Sequence, residues 1–226
     1  MIPRRLPGAG WLALVGGGEF SFGETIAADR AWMAKVTAAG PIAFLPTASG
    51  STDYGGYFTS YIREGFDRVV DVVPIYRQRD ARREKNLQRL AAAAAVYLGG
   101  GVTDHLLDAL AGEPAATVLA EKLAGGGVVV AIAAAAHALG AAARPLTGRN
   151  PIQGLAWLPE GVVETNFDPA HDRRLRQLLG EPEVTWGLGI PAGAAVLLGP
   201  EESIEMVGAA FLLDSAEGDL EVLGGP

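Results

Sequence analysis

Short apolar runs alternate along this chain with longer amphipathic stretches, the pattern of parallel strands joined by crossover helices. The runs Trp11–Val15, Ile42–Pro46, Arg68–Ile75, Ala95–Leu98 and Val128–Ile132 predict five strands. Helices are expected between them over Glu24–Ala38, Tyr57–Phe66, Asp80–Ala93 and Thr103–Ala124, the last broken near Gly112 to Pro114. Unbroken apolar strands such as Val128-Val129-Val130-Ala131-Ile132 require a sheet covered on both faces. From Gly154 onward the texture changes. Apolar runs at Leu155–Leu158, Val184–Ile190, Ala194–Leu198, Glu205–Val207, Ala210–Leu213 and Leu220–Leu223 are set apart by Gly, Pro and acidic turns, with one helix near Pro169–Leu179. The expected fold is a three-layer α/β/α sandwich with a mostly parallel, flavodoxin-like central sheet. A β-rich C-terminal extension continues that sheet, with some antiparallel meander. The whole of 1–226 is expected to form one domain.

Composition narrows the function. A formal charge of −8, from 18 basic and 26 acidic residues, argues against a nucleic-acid partner. The two short basic runs, Arg77 to Lys85 and Arg173 to Arg176, read as solvated helix faces. Absence of cysteine excludes disulfides, a cysteine-based metal site and a cysteine nucleophile. Arg4 and Arg5 precede an apolar stretch, but Trp11 to Val15 is too short for a signal-peptide core and reads as the first strand. No segment has the length of a membrane span, so the expectation is a cytoplasmic protein without a membrane partner. Lysine occurs only at positions 35, 85 and 122; this arginine bias fits a GC-rich genome, and the scarcity of thermolabile residues fits a thermophile.

In doubly wound folds the ligand site lies at the carboxyl ends of the strands. Special turns fall there at Gly16–Glu19, Pro46–Ser49, Gly99–Thr103 and Ala131–Ala136. The first and third lack the full dinucleotide spacing, so no cofactor is expected. In the fourth, a buried strand passes into Ala133-Ala134-Ala135-Ala136-His137-Ala138. Strand, abrupt turn and helix, with small flanking residues, is the setting of a nucleophile elbow.

Taken in order, Leu14–Glu19, Ile42–Ser49, Tyr97–Gly101 with Leu106-Leu107, Val130–Ala136, Gly154 through Glu164-Thr165-Asn166-Phe167, and Gly187–Ile190 resemble motifs of the serine peptidases that include dipeptidase E and cyanophycinase. That resemblance implies a class I glutamine amidotransferase-like fold, an oxyanion amide from the Gly100–Gly101 turn, a nucleophilic serine at position 133 and a base histidine at 166. The chain has Ala133 and Asn166 instead, and no Asp or Glu lies between Ala133 and Pro159 to serve as the acid. Without nucleophile, base and orienting acid, acyl transfer has no working unit. The expectation is a non-catalytic homologue. Its vestigial pocket, formed by Gly17, Gly18, Glu19, Gly100, Gly101, Ala133, Ala134 and Asn166, would take a small molecule or peptide terminus.

Two other readings stay open: a hydrolase of aspartyl peptides using unrecognised residues, with Thr47, Ser49 and Ser51 as outside candidates, and a scaffold subunit that self-associates into a homo-oligomer. Of the polar residues, His137 is expected to be a hydrogen-bonded core histidine, and His105 and His171 surface residues. Asp104 is expected to cap its helix. Glu19 and Glu164 are read either as caps or, with Asp104, as an acidic ligand pocket. Three scattered histidines predict no metal site.

Overall fold

The computed structural model describes residues 3–148 and 150–225. Its element order follows the predicted alternation: β1 (Trp11–Val15), α1 (Ile26–Met33), β2 (Ile42–Leu45), α2 (Thr52–Phe66), β3 (Val70–Val72), α3 (Gln78–Ala81), α4 (Glu84–Ala92), β4 (Ala95–Leu98), α5 (Thr103–Leu110), α6 (Pro114–Ala124), β5 (Val128–Ile132) and α7 (Ala134–Ala138). After these come β6 (Ala142–Ala143), β7 (Ile152–Gln153), β8 (Gly161–Thr165), α8 (Arg173–Leu179), β9 (Trp186–Ile190), β10 (Ala195–Leu198), β11 (Ile204–Val207), β12 (Ala210–Leu213) and β13 (Glu221–Leu223). The principal sheet has the order β11-β10-β1-β5-β4-β2-β3. Strands β1 to β5 run parallel, and β10 and β11 add antiparallel to the β1 side.

The two-residue period of the strands divides the core. Leu12 and Leu14 of β1 point into an aliphatic layer beneath α3 to α7, with Leu90, Leu106, Leu119 and Ala135. Ala13 and Val15 face the opposite layer, where α1 and α2 contribute Trp32, Phe58 and Ile62. This second layer is aromatic: Phe58 lies between Phe44 and Tyr97, with ring centroids 4.4 and 4.5 Å away. Asp29 is buried there and accepts hydrogen bonds from the Thr25 hydroxyl (2.7 Å), the Trp32 indole N–H (2.8 Å) and the Tyr61 hydroxyl (2.8 Å). These three donors satisfy a carboxylate that apolar surroundings would otherwise exclude. Burial nonetheless holds its pKa above the ordinary aspartate value, and the three hydrogen bonds only partly offset that.

Several boundaries differ from expectation for identifiable reasons. Helix α2 begins five residues early because the Ser51 hydroxyl accepts from the Asp53 N–H and caps it. The predicted Asp80–Ala93 helix is split between α3 and α4. The predicted break near Gly112 is present, with Gly112 at φ 71° and Pro114 opening α6. Leu155–Leu158 is not a strand; Ala156 takes φ 54°, and the Trp157 and Leu158 N–H groups donate to the Leu139 carbonyl.

The C-terminal extension is corrected more substantially. Only β10 and β11 continue the principal sheet; β8, β9, β12 and β13 form a second sheet of order β13-β12-β9-β8. Its inner residues Val163, Leu188, Ile190 and Leu212 join the aliphatic core. On its outer face Val162, Phe167 and Leu213 pack under α8 through Leu175 and Leu178. Glycines in β9 make that packing feasible. A Cβ on Gly189 would lie 2.5 Å from the Phe167 ring, and one on Gly187 2.6 Å from Leu179.

Candidate functional site

At the carboxyl end of β5 the chain turns sharply into α7, and Ala133 takes φ 51°, ψ −118°. An L-residue holds such a conformation only where its surroundings impose it. Here the Ala133 N–H donates to the Val15 carbonyl (2.9 Å) at the end of β1, and its own carbonyl accepts from the His137 N–H (3.0 Å). The strained strand-to-helix turn expected of a nucleophile elbow is therefore present, carrying a methyl group.

The predicted pocket residues are partly reunited. Gly101, Ala133, Ala134 and Asn166 border one cavity of about 310 Å³, together with Thr103, Thr165 and Arg174. Gly100 abuts the elbow: a Cβ there would sit 3.4 Å from that of Ala133. The N–H groups of Gly101 and Ala134 have no acceptor among the described residues, which leaves two donors at this cavity. Gly101 cannot be replaced without moving the chain, because a Cβ would meet the Ala48 carbonyl oxygen at 2.3 Å.

Asn166 directly follows β8 with φ 49°, a left-handed conformation that asparagine adopts more readily than most residues. Its N–H donates to the Gly16 carbonyl (2.7 Å), and its side chain lies against Gly17, where a Cβ would come 2.2 Å from Oδ1. Gly17 thus makes room for a neighbouring side chain. Gly18 does the same for its neighbours, since a Cβ there would lie 3.2 Å from that of Glu24. Glu19 is exposed and accepts from the Ser21 N–H (3.2 Å) and hydroxyl (3.0 Å), capping the 3₁₀ turn Phe20–Phe22.

The acidic pocket considered from sequence does not assemble. Asp104 departs from its expected capping role: its Oδ2 accepts from the Leu146 N–H (2.7 Å), tethering the loop after β6 to α5. Glu164 is nearly fully buried and is held by Arg144 through two contacts of 2.7 and 3.1 Å. Among the described residues no group of three or more histidines and carboxylates could hold a metal ion, and no helix is long and apolar enough to cross a membrane. The hydroxyls after β2 are already engaged: Thr47 donates to the Ile75 carbonyl (2.8 Å), Ser49 to the Pro46 carbonyl (2.9 Å), and Ser51 caps α2.

His137 borders the cavity but is committed at both ring nitrogens. Nδ1 donates to the Val163 carbonyl, and Nε2 accepts from the Arg144 N–H at 2.6 Å. The donor to Nε2 fixes the neutral Nδ1–H tautomer. Burial is the main cause that pulls its pKa below the ordinary histidine value, with Arg144 adding to it; Glu164 and the Val163 carbonyl oppose the shift. A ring so held has no free nitrogen to take a proton from a substrate. His105 and His171 are exposed, the latter paired with Asp168 at 2.7 Å.

Sequence reasoning missed the arginines. Arg144 and Arg174 border the elbow cavity and also line an adjoining cleft of about 790 Å³ with Arg173 and Arg176. The run read as a solvated helix face is exposed at Arg173 and Arg174, yet it walls a cleft. The available signal was three basic residues within four positions just after the Asn166 strand end.

The chain is similar to the crystal structure of a peptidase from an acI-B1 Actinobacterium, with TM-score 0.76 and 20% identity, covering 98% of this chain and 96% of that one. It is also similar to a putative peptidase E protein from Listeria monocytogenes EGD-e, with TM-score 0.62 and 16% identity, covering 88% of this chain and 98% of that one. At these identities the likeness is one of fold. None of the curated proteins matches the chain. A family model described as Peptidase family S51 matches residues 12–204, from the second residue of β1 to the first of β11. With that span matched around the elbow and glycine turns, the chain belongs to peptidase family S51.

Proposed function

We propose that this chain is a non-catalytic member of its family that binds a small molecule or peptide terminus at the remnant of the active site. The observation that carries this reading is the elbow itself. Position 133 keeps the strained backbone that presents a nucleophile, but its side chain is a methyl group. The other groups near it offer no replacement. His137 is neutral and bonded at both nitrogens, Glu164 is neutralised by Arg144, and Asn166 has an amide where acyl transfer needs a base. What persists is binding capacity: a cavity with two unpaired N–H donors and one exposed guanidinium, suited to a carboxylate or another oxyanion.

The test is hydrolysis of aspartyl dipeptides and β-aspartyl-arginine by the wild-type chain, beside Ala133→Phe, whose ring fills the cavity. No turnover by either is the expected result. Turnover by wild type that Ala133→Phe abolishes would overturn the reading and place an unfamiliar nucleophile in this cavity.

A further inference from the structure

The arginine-lined cleft beside the elbow cavity is out of character with a chain of net charge −8. Among the described residues its four guanidinium groups are not equivalent. Arg144 is neutralised by Glu164 in a two-point contact. Arg176 is neutralised by Asp172 (2.9 and 2.7 Å) and also donates to the carbonyls of Ala216 (2.7 Å) and Gly218 (2.8 Å). Arg173 and Arg174, at the start of α8, have no acceptor among the described residues, and both face the cleft. The cleft therefore carries two uncompensated positive charges on side chains with all their donors free. Arg174 also borders the cavity over Ala133, so the two spaces meet at its side chain.

We propose that this cleft is a phosphoryl-binding subsite, in which Arg173 and Arg174 hold the phosphate group of a small phosphorylated molecule whose remainder extends toward Ala133. The proposal adds a ligand class to the binding role inferred above and rests on that role. Charge and shape select the group. A carboxylate carries a single charge, which one guanidinium compensates, as in the Arg144–Glu164 and Arg176–Asp172 pairs of this cleft. A phosphate monoester carries a charge of about −1.5 to −2 at neutral pH and three terminal oxygens, enough to accept from two guanidinium groups at once. The volume of about 790 Å³ exceeds what a lone phosphate needs and leaves room for an organic substituent.

The proposal is tested by calorimetric titration and thermal shift of the full chain with inorganic phosphate, O-phosphoserine and succinate, at an ionic strength held constant with chloride. Saturable binding of phosphate and O-phosphoserine, tighter than that of succinate, is expected. Arg173→Gln and Arg174→Gln should each weaken it about tenfold, and the double variant should abolish it. Both side chains are exposed, so the variants should keep the wild-type melting temperature without ligand. Arg63→Gln, at an exposed arginine on α2, should bind as wild type does. Absence of saturable phosphate binding overturns the proposal, as does binding that survives the double substitution. Succinate binding as tightly as phosphate overturns the phosphoryl assignment. None of these outcomes depends on whether the chain hydrolyses peptides, so the two readings fail separately.

Discussion

The imidazole of His137 and the main chain of Arg144 are joined by a 2.6 Å hydrogen bond in which the Arg144 N–H donates to Nε2. The same Arg144 extends its guanidinium to Glu164, one residue beyond the Val163 carbonyl that receives the other imidazole nitrogen. α7, the loop after β6 and strand β8 are thereby tied together directly beside the elbow. A histidine that could have looked like a displaced base serves as a structural clasp.

Protonating this histidine in the folded state would disrupt its acceptor role, which sets a pH dependence. Its folded pKa lies below the unfolded value of about 6.5, so between the two the unfolded chain binds more protons. The stabilisation is complete above the unfolded pKa and is lost as pH falls toward the folded pKa. Urea midpoints measured at pH 5 and pH 7.5 should differ more for wild type than for His137→Gln. Equal differences would show that the clasp does not titrate in this range.

Arg144→Ala strands a buried carboxylate. Loss of one partner of a buried ion pair costs about 3 kcal/mol, the low end of the usual range, because Arg144 itself is one-third exposed. The double variant Arg144→Met, Glu164→Leu should recover most of that loss. Denaturant unfolding of both variants checks it; a double variant as unstable as the single one would mean the loop is held by other contacts.

Asp29→Ala leaves the Trp32 indole N–H, in a fully buried side chain, without an acceptor and frees the Tyr61 hydroxyl. The expected destabilisation is about 3 kcal/mol. Asp29 contributes to acid behaviour in the opposite sense to His137. Its raised folded pKa makes its contribution greatest below the unfolded value of about 3.9, and this is lost as pH rises through the folded pKa.

The elbow invites reconstruction. Serine tolerates the backbone that Ala133 already adopts, and histidine, like asparagine, accepts the left-handed conformation of position 166. Ala133→Ser alone should remain unreactive toward a fluorophosphonate probe, since no base stands ready. Ala133→Ser with Asn166→His should acquire slow, stoichiometric labelling at position 133. Labelling of the single variant at an equal rate would reveal a base that the geometry does not identify.

Replacing Gly17 with alanine should displace Asn166. A Cβ would overlap the Asn166 side chain at 2.2 Å, and the residue's φ of 138° disfavours any L side chain. A loss of roughly 2 kcal/mol or more in unfolding free energy is expected. Stability equal to wild type would mean that Asn166 has an alternative rotamer free of cost.

By itself, the sequence determined the layers, the parallel strands and the position of the strained strand-to-helix turn at Ala133. Unbroken apolar runs such as Val128–Ile132 can be buried only in a sheet covered on both faces, and small residues after such a strand point to a tight turn. The residue types at the elbow were legible as well: position 133 carries a methyl group and position 166 an amide, whatever surrounds them. The tertiary structure alone decided how β8, β9, β12 and β13 pair. Alternation of apolar residues says which face is buried but not which strand lies alongside, and the pairing of β9 with β8 and β12 joins segments more than 20 positions apart. Charge compensation was likewise beyond reach. Arg176 finds Asp172 one helical turn away, but Arg144 finds Glu164 across 20 positions, and Arg173 and Arg174 find no partner among the described residues. A basic run reads the same in sequence whether its charges meet water, carboxylates or an open cleft, because only the fold brings the partners within hydrogen-bonding distance.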